Sequence, residues 1–139
     1  MKQWEYIEHT ADAEFKAYGK TIEEAFGNAA LAMFNILTNV KKVEPKIKKK
    51  IKKRAPRLDT LLYEFLNGLL FFLDTEGFIV SEVKNLVIKK GKECELSAIV
   101  NGDVAENYEV HGDIKSATYN NMQIKEENGI FVLRVVVDI

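Results

Sequence analysis

One cysteine, two prolines and two histidines among 139 residues leave little room for several common kinds of chemistry. Cys94 has no second cysteine with which to form an intrachain disulfide or a thiolate metal site, so neither is expected and a cytoplasmic protein is. His9 and His111 are the whole histidine complement. With no GxxxxGK phosphate loop and no Gly-x-Ser-x-Gly turn, the usual hydrolase and nucleotide-binding signatures are missing and an enzyme is not expected. Gly19-Lys20-Thr21 resembles the end of a phosphate loop but lacks the preceding glycine, and reads as a turn and helix cap. Long apolar runs are absent too. Even Leu58–Leu73 is broken by Asp59, Glu64 and Asn67, short of the ~20 residues a membrane span needs, and the N-terminus carries no signal-peptide pattern. What is present, 47% hydrophobic and 29% charged residues, suits a single domain over residues 1–139 that buries its own core.

The net charge of −1 hides a strong asymmetry. Between Lys41 and Arg57 lie ten of the 20 Lys and Arg residues, opposed only by Glu44. Lys46, Lys48, Lys50, Lys52 and Arg54 alternate there with Ile47, Lys49, Ile51, Lys53 and Ala55. That period of two predicts a strand over 46–54 with one wholly basic face and one partly apolar face. Such a strand can serve as a charged edge that resists pairing with other sheets, or as an attractor for phosphate or an acidic protein surface. No aromatic residue interrupts the run to stack a base, which favours the first use.

Two helices stand out. Thr21-Ile22-Glu23-Glu24 is a capping box, followed by Ile22, Ala25, Phe26, Ala29, Ala30, Met33 and Leu37 at helical spacing to about Thr38. A second helix begins near Asp59 as N-cap and carries Leu61, Leu62, Phe65, Leu66, Leu69, Leu70 and Leu73 until Asp74-Thr75-Glu76-Gly77 stops it. Tyr63, Phe71 and Phe72 widen its apolar surface, so it is expected to be central. β-Branched residues mark strands at 3–7, 13–18, 83–89, 94–100, 122–125 and 130–138, with hairpins at Lys90-Gly91-Lys92 and at Glu126-Glu127-Asn128-Gly129. The order ββαβα followed by a β-rich half predicts an α+β domain: a mixed, largely antiparallel sheet with the two main helices packed on one face.

The most specific chemistry lies at the two ends of the chain. Val135-Val136-Val137-Asp138-Ile139 is an apolar strand that stops on an aspartate one residue before the final carboxylate, and Glu8-His9-Thr10-Ala11-Asp12-Ala13-Glu14 is a polar cluster between strands. If the fold joins these ends, Asp12, Asp138 and the main-chain carboxylate of Ile139 supply hard oxygen ligands suited to Ca²⁺ or Mg²⁺. His9 is expected to fix the turn through a main-chain hydrogen bond, since a hard cation prefers oxygen. Glu14 shares the face of Asp12 on a strand and could lend charge, but is expected to be exposed and solvated. Asp74 and Glu76 read as a polar helix terminus, and Thr118 and Tyr119 as packing and hydrogen-bonding residues.

Taken in order, several of these segments form a larger pattern: His9-Thr10-Ala11-Asp12, Ala17-Tyr18-Gly19-Lys20-Thr21-Ile22-Glu23-Glu24-Ala25-Phe26 and Ala29-Ala30-Leu31-Ala32-Met33-Phe34. It continues through Leu61-Leu62-Tyr63-Glu64-Phe65-Leu66, Asp74-Thr75-Glu76-Gly77, Lys115-Ser116-Ala117-Thr118-Tyr119 and Val137-Asp138-Ile139. Over almost its whole length the sequence resembles archease, the protein cofactor of the RtcB-type RNA ligase. It departs from that pattern over Asn101–His111, which lacks a proline-containing loop, and at Asn120, where a histidine is common.

The resemblance implies a helper in tRNA splicing and RNA repair that promotes guanylylation of the ligase and its multiple turnover, with tRNA met through the ligase complex. It implies a divalent metal, Ca²⁺, Mg²⁺ or Mn²⁺, held by Asp12, Asp138 and Ile139. In the family-like Lys-Ser-Ala-Thr-Tyr segment, Lys115 could meet phosphate or an acidic patch on the ligase; a solvated strand lysine is the alternative. The competing functional class is a general chaperone or nucleic-acid-binding module acting through the basic strand 46–54.

Overall fold

The computed structural model describes residues 1–7 and 12–139. Strands β1 (Trp4–Ile7) and β2 (Ala13–Gly19) lead into helix α1 (Ile22–Asn35), strand β3 (Ile47–Ala55) and helix α2 (Leu58–Glu76). Strands β4 (Phe78–Lys90), β5 (Cys94–Val104), β6 (Ser116–Glu127) and β7 (Ile130–Asp138) complete the chain. The α+β class expected from the sequence is the one adopted. The strands fall into two sheets, ordered β1-β2-β7-β6 and β3-β5-β4, and every pairing is antiparallel. Each helix touches both sheets: α1 lies against β2 and β4, α2 against β3 and β6. That arrangement needs apolar residues on more than one stripe of each helix, which is what the broad apolar surface of α2 supplies.

Local chemistry sets the helix ends. The Thr21 hydroxyl accepts the Glu24 N–H at 3.0 Å, as the capping box predicts. After Asn35, the N–H groups of Leu37 and Thr38 still bond to the Phe34 carbonyl, so the turn persists to the expected end. The second helix starts earlier than expected. Its N-cap is Arg57 rather than Asp59, because the Thr60 hydroxyl accepts the Arg57 N–H at 3.1 Å and closes the first turn. Asp59 sits inside that turn, where its carboxylate accepts from Thr60 N–H at 2.7 Å and favours the helix dipole. Gly77, at φ 65°, ends α2 in the left-handed conformation that glycine adopts without steric cost.

The core is built from Phe15, Phe26, Phe34, Phe65 and Phe78 with leucines of α2 and the completely buried Ala25, Ala29, Ala30 and Ala32 of α1. Those alanines let α1 approach the strands closely. At Gly19 the approach is tightest, since a Cβ there would lie 2.3 Å from the Ala25 nitrogen. Among the described residues, no helix is long and apolar enough to cross a membrane.

Candidate functional site

Two of the three proposed oxygen donors lie at the ends of neighbouring strands, Asp12 just before β2 and Asp138 as the last residue of β7. β2 and β7 pair antiparallel with Ala13 opposite Val137, so the next residues outward on each strand are Asp12 and Asp138. The register therefore brings the two aspartates to one end of the same strand pair. β7 is an interior strand held by β2 on one side and β6 on the other, and Val135, Val136 and Val137 are buried. This anchors Asp138 at the edge of the core while leaving it partly exposed, and Ile139 beyond it is 46% exposed.

Lys115 joins the same corner. Its main-chain N–H donates to the Asp138 carbonyl at 2.7 Å, and Ser116 follows as the register partner of Asp138. It precedes β6 rather than lying on a strand, and its side chain is exposed, available to a partner or to solvent. Thr118 and Tyr119 have the packing roles the sequence suggested: the Thr118 hydroxyl donates to the Val136 carbonyl at 3.0 Å, and Tyr119 stacks on Tyr63 with ring centroids 4.1 Å apart. His9, with Glu8, Thr10 and Ala11, lies outside the described residues.

Glu14 corrects the sequence reading. Expected to be solvated, it is buried, with its side chain 1% exposed, and it accepts from the Arg134 guanidinium. The reason is topological: β2 is interior, paired to β1 and β7, and Glu14 stands beside buried Val136 with the half-buried Ile7 on its other side. A buried carboxylate needs a charged or hydrogen-bonding partner, and Arg134 of the neighbouring strand provides it. Asp74 is exposed, as read, whereas Glu76 pairs with Lys49 at 2.7 Å.

Asp12 and Asp138 carry oxygen donors of the type that hard cations take. Two carboxylates at one strand end repel each other unless positive charge lies between them. Among the described residues no group of three His, Cys, Asp or Glu converges to hold a metal. Asp12 and Asp138 provide two side chains, and a third protein donor would come from main-chain oxygen, as at Ile139.

A second polar cluster escaped the sequence reading. Asp103, buried at the end of β5, accepts from the Tyr108 hydroxyl at 2.7 Å and the Val104 N–H at 2.8 Å, with the Asn107 amide at 3.4 Å. Those bonds, the Tyr108 hydroxyl first, hold its carboxyl below the usual aspartate range. Tyr108 in turn accepts the Glu44 N–H at 3.0 Å and so fixes the approach to β3. The signal was the spacing Asp103-x3-Asn107-Tyr108, unremarkable without knowledge of the turn between them.

Fold and site thus define a small two-sheet α+β domain whose acidic corner is made by residues from both ends of the chain. Residues 4–139 match the model of the Archease protein family. The chain is 40% identical over 128 residues to protein archease of Thermococcus kodakarensis, covering 91% of this chain and 90% of that one. It is 37% identical to protein archease of Pyrococcus furiosus over the full length of both chains. The solution structure of Methanobacterium thermoautotrophicum protein 1598 superposes with a TM-score of 0.85 at 35% identity, covering 100% of each chain. A crystal structure from Thermotoga maritima, described as an archease and possible chaperone, shares the fold with a TM-score of 0.56 at 20% identity, covering 96% of this chain and 94% of that one. The chain belongs to the archease family.

Proposed function

We propose that this protein is the cofactor of an RtcB-type RNA ligase, acting in the cytoplasm in tRNA splicing and RNA repair by promoting ligase guanylylation and multiple turnover. Asp12, Asp138 and the Ile139 carboxylate would hold a divalent cation, Ca²⁺, Mg²⁺ or Mn²⁺. The observation that carries this reading is the β2–β7 register, which sets two aspartates distant in sequence at one strand end in an archease-family chain.

A bound divalent cation supplies positive charge that stabilises phosphate oxygens during nucleotide transfer. The chain's own residues supply the placement. The buried valines of β7 fix the strand, the Lys115 N–H to Asp138 carbonyl bond fixes its last peptide, and the exposed Lys115 side chain can approach a phosphate or carboxylate of the ligase. The protein then acts through the ligase and needs no nucleophile or base of its own.

The test is a ligation assay with limiting RtcB-type ligase, GTP and broken tRNA. The intact protein is expected to convert single-turnover joining into multiple turnover, and Asp12→Ala and Asp138→Ala to reduce that stimulation by roughly tenfold or more while still folding. No stimulation by the intact protein contradicts the ligase assignment. Full stimulation by both variants removes the acidic corner from activation.

A further inference from the structure

The solvent face of the β3-β5-β4 sheet is a cationic platform larger than the lysine strand alone. Residues in register share a face, so the outward rows read Lys48–Asn101–Glu82, Lys50–Ile99–Lys84, Lys52–Ser97–Val87 and Arg54–Glu95–Lys89. The burial pattern agrees: Lys48, Lys50, Lys52, Arg54, Lys84 and Lys89 are exposed, while Leu96, Ala98 and Val100 point into the core. Six cations thus meet two carboxylates on one face. Two adjoining clefts of about 380 and 370 Å³ indent its lower end, sharing Arg54, Lys89 and Glu95.

Edge protection does not require this arrangement. Cross-strand Glu opposite Lys would neutralise each row and stabilise the sheet. Among the described residues, Arg54 and Lys89 share one such partner, Glu95, which Arg54 meets at 2.7 Å, while Lys48, Lys50 and Lys52 face neutral Asn101, Ile99 and Ser97. Glu82, in the row of Lys48, accepts from Asn101 at 3.0 Å and lies 3.9 Å from the Lys84 ammonium. Of the two inward lysines of the same strand, Lys49 and Lys53, Lys49 is matched by Glu76 and by the rings of Phe72 and Phe78. Among the described residues, the outward Lys48, Lys50 and Lys52 have no carboxylate partner.

We infer that this sheet face binds the phosphodiester backbone of a single-stranded nucleic acid, with Lys48, Lys50 and Lys52 as its principal contacts. Alternate residues of a strand are about 6.6 Å apart, commensurate with the phosphate repeat of an extended chain. The composition favours phosphate over a protein partner. Protein interfaces are depleted in lysine, and carboxylate recognition favours the bidentate fork of arginine, whereas five of the six cations here are lysine point charges. The centre of the face, Ile99, Ser97 and Val87, offers no aromatic ring, so recognition is of the backbone and not of base sequence.

This inference does not rest on the ligase reading, and its test uses the isolated chain. Fluorescence anisotropy with a labelled single-stranded RNA, and the same-sequence DNA in a second arm, should show binding that weakens with salt. The slope of log K on log salt should be roughly −2 to −3, for three to four contacts at about −0.7 each. The triple change Lys48→Gln, Lys50→Gln, Lys52→Gln should weaken binding at least about tenfold at low salt and flatten the slope. Lys20→Gln, Lys41→Gln, Lys125→Gln removes the same charge from exposed positions off this face, and should leave most affinity. Failure of the RNA to bind, equal losses in both triple variants, or tighter binding to poly-glutamate or anionic vesicles than to RNA would each overturn the inference.

Discussion

Glu14 and Arg134 form the charge pair on which the acidic corner rests. Glu14 is buried beside Val136, two residues from Asp12, and Arg134 crosses from β7 to meet it. Removing one partner of a buried ion pair is destabilising, so Arg134→Met should lower unfolding free energy by about 3 kcal/mol in urea denaturation. A loss within experimental error would show that Glu14 is satisfied without it. Asp103 gives a pH-dependent counterpart. Its carboxyl is held below the ordinary value, so its contribution is fully present above the unfolded aspartate pKa of about 4 and is lost as pH falls through the lowered folded value. Asp103→Asn should therefore lower Tm at pH 7, with the difference shrinking below about pH 4. A difference constant across that range would assign the effect to lost hydrogen bonds alone. Neither cluster was legible in the sequence. The burial of Glu14 depends on which strands flank β2, and the Asp103 network depends on a turn that brings Tyr108 back on the end of β5.

At the scale of elements, helices and hairpins were legible because their signals are local: helical spacing of apolar residues, the Thr21 cap, Gly77, and the Asn128-Gly129 turn at φ 52° and 77°. Strand extents were less so. β6 runs from Ser116 to Glu127, yet only 122–125 showed alternation, because the register breaks between Thr118 and Gln123 around Asn121 at φ 55°. β4 begins at Phe78, five residues before the expected start, since Phe78, Ile79 and Val80 are all buried and show no alternation. Where β4 and β5 meet, Gly102 leaves no space for a side chain: a Cβ would lie 1.9 Å from the Ile79 carbonyl oxygen. Gly102→Ala should cost about 2 kcal/mol or more, measured by chemical denaturation, because backbone and not a flexible side chain must move. Wild-type stability in that variant would mean that β4 shifts freely against β5.

Across the whole molecule, charge and chemistry are divided between the two sheets. The β1-β2-β7-β6 sheet carries the aspartate corner, with Lys115 beside it, and the β3-β5-β4 sheet carries the cationic face. The sequence anticipated the aspartates because both lie at ends of recognisable strands, but only the β2–β7 register brings the strand ends together. It anticipated the basic strand and not the platform, since Lys84 and Lys89 join Lys50 and Arg54 only through β5. A protein that held a cation at the first sheet and bound phosphate at the second, as proposed, would be suited to working beside an RNA-joining enzyme. The most direct test of the proposed metal corner is calorimetric titration of Ca²⁺ and Mn²⁺ into the intact protein, Asp12→Ala, Asp138→Ala and a form extended beyond Ile139. One site is expected in the intact protein, with affinity at least about tenfold weaker in the other three. Affinity unchanged by the aspartate substitutions and the extension would contradict the account.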